Sequence, residues 1–210
     1  EKDRSADLKS AQGKDYSKYF DFSNVKVISE DENGKRLRIN GREITILAEP
    51  SYKEGKRRGK EDVQVLYENA VPESLRNLGR GRYYTVYTYG CQMNEHDSET
   101  IKGLLEQMGF QETQDRKQSD VILLNTCAVR ENAEDRVFGE LGHLKSLKAE
   151  KPELILGVCG CMSQEETVVN RILQKHPYVD LIFGTHNIHR LPYLLQEAYF
   201  SKEMVIEVWS

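Results

Sequence analysis

The chain has 210 residues, 38% of them hydrophobic and 30% charged, with a formal net charge of −4. That length allows one well-formed core plus extensions, while no apolar run approaches a membrane span and the charged start Glu1-Lys2-Asp3-Arg4-Ser5 lacks the apolar centre of a secretory signal. A cytoplasmic, reducing setting with no membrane partner is therefore expected, where a few cysteines point to metal binding or catalysis before disulfides. The charge is uneven: residues 83–210 hold 12 Lys and Arg against 19 Asp and Glu, and residues 1–82 hold 18 against 15. The acidic part is not expected to be the main phosphate-gripping surface.

In chain order, residues 1 to about 20 are polar and without periodicity, which predicts disorder, with Tyr16, Tyr19, Phe20 and Phe22 as a possible aromatic anchor. Runs at 25–28, 36–39 and 43–47 then read as short strands. Asn33-Gly34 and Asn40-Gly41 separate them and supply the positive φ that tight hairpin turns need, so a small β-meander is predicted. The basic run Lys53-Glu54-Gly55-Lys56-Arg57-Arg58-Gly59-Lys60 reads more simply as a solvated linker than as an RNA-phosphate contact. Residues 71–79 predict one or two helical turns closed by Gly79.

From Tyr83 the pattern becomes regular. Strands are predicted at 83–89, 121–126, 154–159, 179–184 and 204–209, and helices at about 95–108, 131–149, 163–175 and 187–199. Ile101, Leu104, Leu105 and Met108 share one face of the first helix, and Gly109 ends it. Val137, Leu141, Leu144 and Leu147 do the same for the second, with Pro152 just beyond. Such alternation predicts an α/β fold: a mostly parallel sheet of about five strands with helices on both faces, flavodoxin- or Rossmann-like. Residues 1–82 are then an extension and residues 83–210 the domain. The chain stops directly after the fifth strand, an odd place for a complete multi-step enzyme to end.

Three of the four cysteines stand just past predicted strands: Cys91, Cys127 and Cys161. In a parallel sheet the carboxyl ends of the strands face one way, and ligands bind in the crevice outside them. The gaps of 36 and 34 residues are too long for a zinc knuckle or a ferredoxin run and equal one βα unit each. Cys159, two residues before Cys161, could point to the same side, but it sits one step deeper and is the weaker candidate. Gly90, Gly157 and Gly160 would allow close backbone approach or a plain strand-to-helix turn. Helix N-termini after Cys91 and Cys127 would favour an anionic group. These residues leave three uses open: a metal or cluster site, ordinary buried cysteines, or a redox disulfide. Three ligands on a four-iron cluster would leave one iron open, whereas an electron-transfer cluster is usually held by four cysteines.

The segments Tyr89-Gly90-Cys91-Gln92-Met93-Asn94, Asn125-Thr126-Cys127-Ala128-Val129-Arg130 and Gly160-Cys161-Met162-Ser163-Gln164 together resemble the N-terminal domain of the radical-SAM methylthiotransferases. Gln92-Met93-Asn94 is most similar to the branch acting on tRNA. The resemblance covers about residues 83–200. It implies that Cys91, Cys127 and Cys161 hold an auxiliary [4Fe-4S] cluster whose open iron carries the sulfur to be inserted. It also implies a second domain with another [4Fe-4S] cluster on Cys-x3-Cys-x2-Cys, which cleaves S-adenosylmethionine to a radical. The substrate would be tRNA bearing N6-isopentenyladenosine, methylthiolated at C2. Further partners would be the remainder of the polypeptide and iron–sulfur assembly and sulfur-donor proteins. No Cys-x3-Cys-x2-Cys occurs here, so the chain is expected to be the first part of a longer enzyme, without the radical or C-terminal RNA-binding domains, and to hold no catalytic residue beyond the cluster ligands. A zinc-binding, electron-transfer or partner-binding α/β module without catalysis is the alternative.

Other candidates have simpler readings. His186 falls at a strand end and could be an extra ligand, but a loop role is favoured, with Asn187 capping the next helix. His96, Asp97 and Glu99 fit the acidic first turn of a helix better than an acid/base set. His143, His176 and His189 have no evident partner. Tyr83, Tyr84, Tyr87 and Tyr89 could stack on bases, although alternation assigns at least half of them to packing. No nucleotide-phosphate motif occurs.

Overall fold

In the computed structural model, residues 25–31, 34–39, 42–47, 71–127 and 133–207 are described. The expectations for residues 1–20, the aromatic anchor and the basic run at 53–60 fall outside them. The strands are β1 (Val25–Asp31), β2 (Gly34–Ile39), β3 (Arg42–Leu47), β4 (Tyr83–Tyr89), β5 (Gln111–Glu112), β6 (Val121–Thr126), β7 (Ile155–Gly160), β8 (Leu181–Phe183) and β9 (Met204–Glu207). The helices are α1 (Gln92–Gln107), α2 (Ala133–Glu150), α3 (Glu166–Lys175) and α4 (Leu191–Ser201). The turn predicted near residue 75 is a short 3-10 segment, Glu73–Leu75.

The nine strands among the described residues form one sheet in the order β1-β2-β3-β9-β8-β7-β6-β4-β5. β1, β2 and β3 pair antiparallel, and every pairing from β3–β9 to β4–β5 is parallel. The five expected parallel strands are thus present; β5, too short to show in the hydrophobic pattern, adds a sixth, and β3, parallel to β9, a seventh. The predicted meander is also present and continues the same sheet, because Ile44, Thr45 and Ile46 of β3 pair with Met204, Val205 and Ile206 of β9. Leu37 and Ile44 enter the main core there, and Arg36 and Thr45 both donate to the Glu203 carboxylate. Pairing of Asp31 with Gly34 and of Ile39 with Arg42 leaves two residues between the strands in each case. Gly34 therefore opens β2, whereas the expected Asn40-Gly41 pair does fall between β2 and β3.

β6 and β7 are buried at every position, as near-continuous apolar runs must be when helices cover both faces. One face carries α2 and α3: Val137, Phe138, Leu141 and Leu144 with Val168, Val169 and Ile172 cover Ile122, Leu124, Leu156, Val158 and Ile182. The other carries α1 and α4: Ile101, Leu104 and Leu105 with Leu191, Leu194 and Leu195 cover Tyr84, Leu123, Leu181 and Phe183. Each such Leu or Ile contributes about 1.5–3 kcal/mol by leaving water.

From β4 the chain steps outward to β5 through α1, then returns past β4 to β6 and proceeds through α2 on the opposite face. The reversal makes the β4–β6 junction a topological switch point, where open α/β sheets bind their ligands. The step β8–α4–β9 continues in the direction of β6–α2–β7 but places its helix on the other face, so its hand is opposite. Three predicted helix starts move. α1 begins at Gln92, ahead of the expected residue 95. Cys161–Gln164 and Thr185–Arg190 form 3-10 turns before α3 and α4. Asn187 does not cap α4. Its Nδ2 donates to buried Glu207, which also pairs with Arg190, and Pro192 opens the helix instead.

Candidate metal centre at the carboxyl ends of β4, β6 and β7

Tyr89, Thr126 and Gly160 lie in register across three neighbouring strands. Cys127 and Cys161 are the next residues of their strands, and Cys91 follows Tyr89 after Gly90. With strands about 4.8 Å apart, the three strand ends span roughly 10 Å of one sheet edge. The main chain is tight here. The Cys127 N–H donates to the Tyr89 carbonyl at 2.9 Å. Gly90 and Gly160 have φ of 154° and 98°. A Cβ on Gly90 would lie 2.7 Å from the Cys127 Cβ, and one on Gly160 would lie 2.3 Å from the Thr126 carbonyl oxygen. Gly157 has another task, because its missing side chain makes room for Leu123.

The four cysteines are free thiols in different settings. Cys91 is exposed and is the N-cap of α1. The Asn94 side-chain Oδ1 accepts the Cys91 main-chain N–H at 3.2 Å and its thiol at 3.3 Å. Main-chain N–H groups of Asn94 and then Met93 face the Cys91 sulfur and hold its pKa below the ordinary thiol value. Cys127 is buried. Cys161, half-buried, has Thr185 Oγ1 3.5 Å from its sulfur. Cys159 faces the α1–α4 core and is wholly buried. Burial, with the Asp97 carboxylate second, pushes its pKa far up and keeps it a thiol. In the metal-free protein, iodoacetamide should therefore label Cys91 faster than an ordinary exposed thiol at the same pH, with a rate that falls as pH drops through its lowered pKa. Cys159 should resist labelling until unfolding. Mass mapping of labelled peptides at several pH values checks both.

His186 stands exposed in the turn after β8. His96 and Glu99 are exposed on α1, while burial raises the Asp97 carboxyl. His176 has partners that the sequence did not reveal: it stacks on Phe138 and bonds the Tyr178 hydroxyl at 2.6 Å. Tyr84 is core. Tyr87 and Tyr89 are half-buried beneath Arg116 and Arg136. Sequence reasoning missed a buried polar chain behind the cysteines. Asn125 Nδ2 donates to the Asn94 carbonyl and to Ser98 Oγ, and Ser98 Oγ meets Thr88 Oγ1. Its one visible signal was an amide ending the apolar run Val121-Ile122-Leu123-Leu124.

Among the described residues, no three His, Cys, Asp or Glu side chains converge tightly enough to hold a single metal ion. The donor set is nonetheless soft and anionic when deprotonated, and it lies along one edge with glycine-lined access. That chemistry fits a thiolate-ligated cluster, in which each thiolate binds a different iron and the ligands stand farther apart than around one ion.

Residues 83–184 match the model of the uncharacterized protein family UPF0004. The chain is 65% identical to the tRNA-2-methylthio-N(6)-dimethylallyladenosine synthase of Shouchella clausii over 94% of its own length and 38% of that protein's. It is 64% identical to the synthase of the same name from Halalkalibacterium halodurans, over 94% of this chain and 37% of the relative. For that of Geobacillus thermodenitrificans the identity is 53%, over 99% and 36%. The chain thus spans little more than a third of the length of the curated relatives it matches. On these likenesses, residues 83–184 form a UPF0004 domain within a chain that is similar, over nearly its whole length, to part of these synthases.

Proposed function

We propose that this chain is the sulfur-donor domain of a tRNA methylthiotransferase, with Cys91, Cys127 and Cys161 as the protein ligands of an auxiliary [4Fe-4S] cluster. The observation that carries this reading is the register that sets three free thiols at the ends of adjacent strands β4, β6 and β7. The names of the relatives supply the reaction class. With three ligands, such a cluster keeps one iron open for the sulfur that is transferred. The chain's own residues prepare the place. Main-chain N–H groups at the start of α1 favour the Cys91 thiolate. The glycines at 90 and 160 keep Cβ atoms out of the space between strand ends. Burial withholds Cys159.

The substrate in this reading is tRNA carrying N6-isopentenyladenosine beside the anticodon, methylthiolated at C2. The rest of the polypeptide would supply S-adenosylmethionine, the second cluster and most of the tRNA contact, and iron–sulfur assembly and sulfur-donor proteins would load the site. Free cysteines suit a reducing cytoplasm, and no helix among the described residues is long and apolar enough to cross a membrane. Anaerobic reconstitution with iron and sulfide should give a brown protein with about four irons per chain. A colourless chain that takes up zinc instead, or none of these metals, would replace this reading with that of a non-catalytic α/β module.

A further inference from the structure

Asn125 is the penultimate residue of β6, two before Cys127, and is completely buried. A buried amide is costly for each group left unpaired, so its place in an otherwise apolar core asks for a reason. Its Nδ2 reaches into the first turns of α1, donating to the Asn94 carbonyl at 2.8 Å and to Ser98 Oγ at 2.9 Å. Asn94 is the residue whose side chain holds both the N–H and the thiol of Cys91. On its other side, Asn125 Oδ1 has no hydrogen-bond partner among the described residues. That oxygen lies 2.7 Å from where a Cβ of Gly160 would stand, at the residue before Cys161. One side chain therefore touches the helix start that carries the first thiol and the turn that carries the third, from the strand that carries the second.

We propose that Asn125 is a positioning residue that fixes the relative placement of Cys91, Cys127 and Cys161 for thiolate ligation. It acts through Asn94 on the first cysteine and through contact with Gly160 on the third. The inference rests on the cluster reading above. Supporting groups one step behind metal ligands typically alter metal affinity about 10- to 100-fold when lost, and this side chain faces two ligand-bearing segments at once.

Asn125→Leu keeps the side-chain volume and removes the amide; Ser98 Oγ retains its bond with Thr88 Oγ1 and the Asn94 carbonyl lies inside α1, so the acceptors it deserts are not both left bare. In the reconstituted 210-residue chain, Asn125→Leu should release iron to a ferrous chelator at least about tenfold faster than the unsubstituted protein. The spectrum of its reduced cluster in electron paramagnetic resonance should shift, while the melting temperature of the metal-free form stays within a few degrees. Ser98→Ala, which removes one of the two acceptors that hold the amide, should quicken release by a smaller factor. A folded Asn125→Leu chain with unchanged release and spectrum overturns the proposal. If Asn125→Leu does not fold, unchanged release in Ser98→Ala overturns it instead. Failure of the unsubstituted chain to take up iron overturns the cluster reading and this inference with it; normal uptake with indifferent variants removes only the role of Asn125.

Discussion

Cys91→Ser, Cys127→Ala and Cys161→Ser each leave the reconstituted chain nearly colourless, whereas Cys159→Ala keeps its iron. That is the expected result, and it follows from where the four sulfurs stand. The first three lie just past the ends of adjacent strands, outside the sheet, while Cys159 is sealed in the α1–α4 core as an un-ionised thiol. The replacements are chosen to spare the fold. Serine at 91 retains an oxygen able to cap α1, a role worth about 0.5–2 kcal/mol. Alanine at 127 avoids burying a hydroxyl where the thiol was buried. Removing one of three thiolates should drop iron from about four to below about one per chain, read by iron analysis and visible absorption. Cys159→Ala should cost stability instead, about 1–2 kcal/mol for the small cavity. Loss of iron in Cys159→Ala with retention in the Cys161 variant would reassign the ligand set.

Gly160→Ala should be the most damaging small substitution near the site. Two costs add. A φ of 98° is one that residues with a Cβ rarely adopt, worth about 1–2 kcal/mol. The new methyl would also lie 2.3 Å from the Thr126 carbonyl oxygen and 2.9 Å from its nitrogen. Those atoms belong to the β6 backbone and cannot swing aside, so an overpacking cost of about 1–3 kcal/mol applies. For a chain of this size, a total of about 2–5 kcal/mol lowers the melting temperature by roughly 5–15 °C. Gly81→Ala is the control. Its φ is 77°, but nothing lies within 4 Å of the new carbon, so only the backbone cost remains. Equal melting temperatures for the two variants would show that crowding at Gly160 is relieved.

The parallel sheet was legible because its central strands are uninterrupted apolar runs and its helices carry apolar faces at helical spacing. Strands β4 and β6 fall where the periodicity put them. The cysteine edge was legible for the same reason, since strand ends in a parallel sheet share one side. Tertiary contacts decided what local pattern could not. Asn187 has good capping chemistry, yet the buried Glu207 carboxylate claims it. The polar chain of Thr88, Ser98, Asn94 and Asn125 joins β4, β6 and α1, so no single window of sequence displays it. The attachment of the meander to β9 likewise depends on a pairing between residues about 160 positions apart, with only Leu37 and Ile44 as apolar hints.

The place of β3 beside β9 bears on how a smaller working piece could be made. Trimming to residues 83–184, the span the family model matches, would strip away both β9 and the hairpin strands that shield it. β8, with Leu181, Ile182 and Phe183 all buried in the intact sheet, would then offer unpaired main-chain groups and bare apolar side chains. A margin of that kind recruits further copies of itself. β3 therefore keeps the outer margin of β9 paired and moves the open edge of the sheet out to β1.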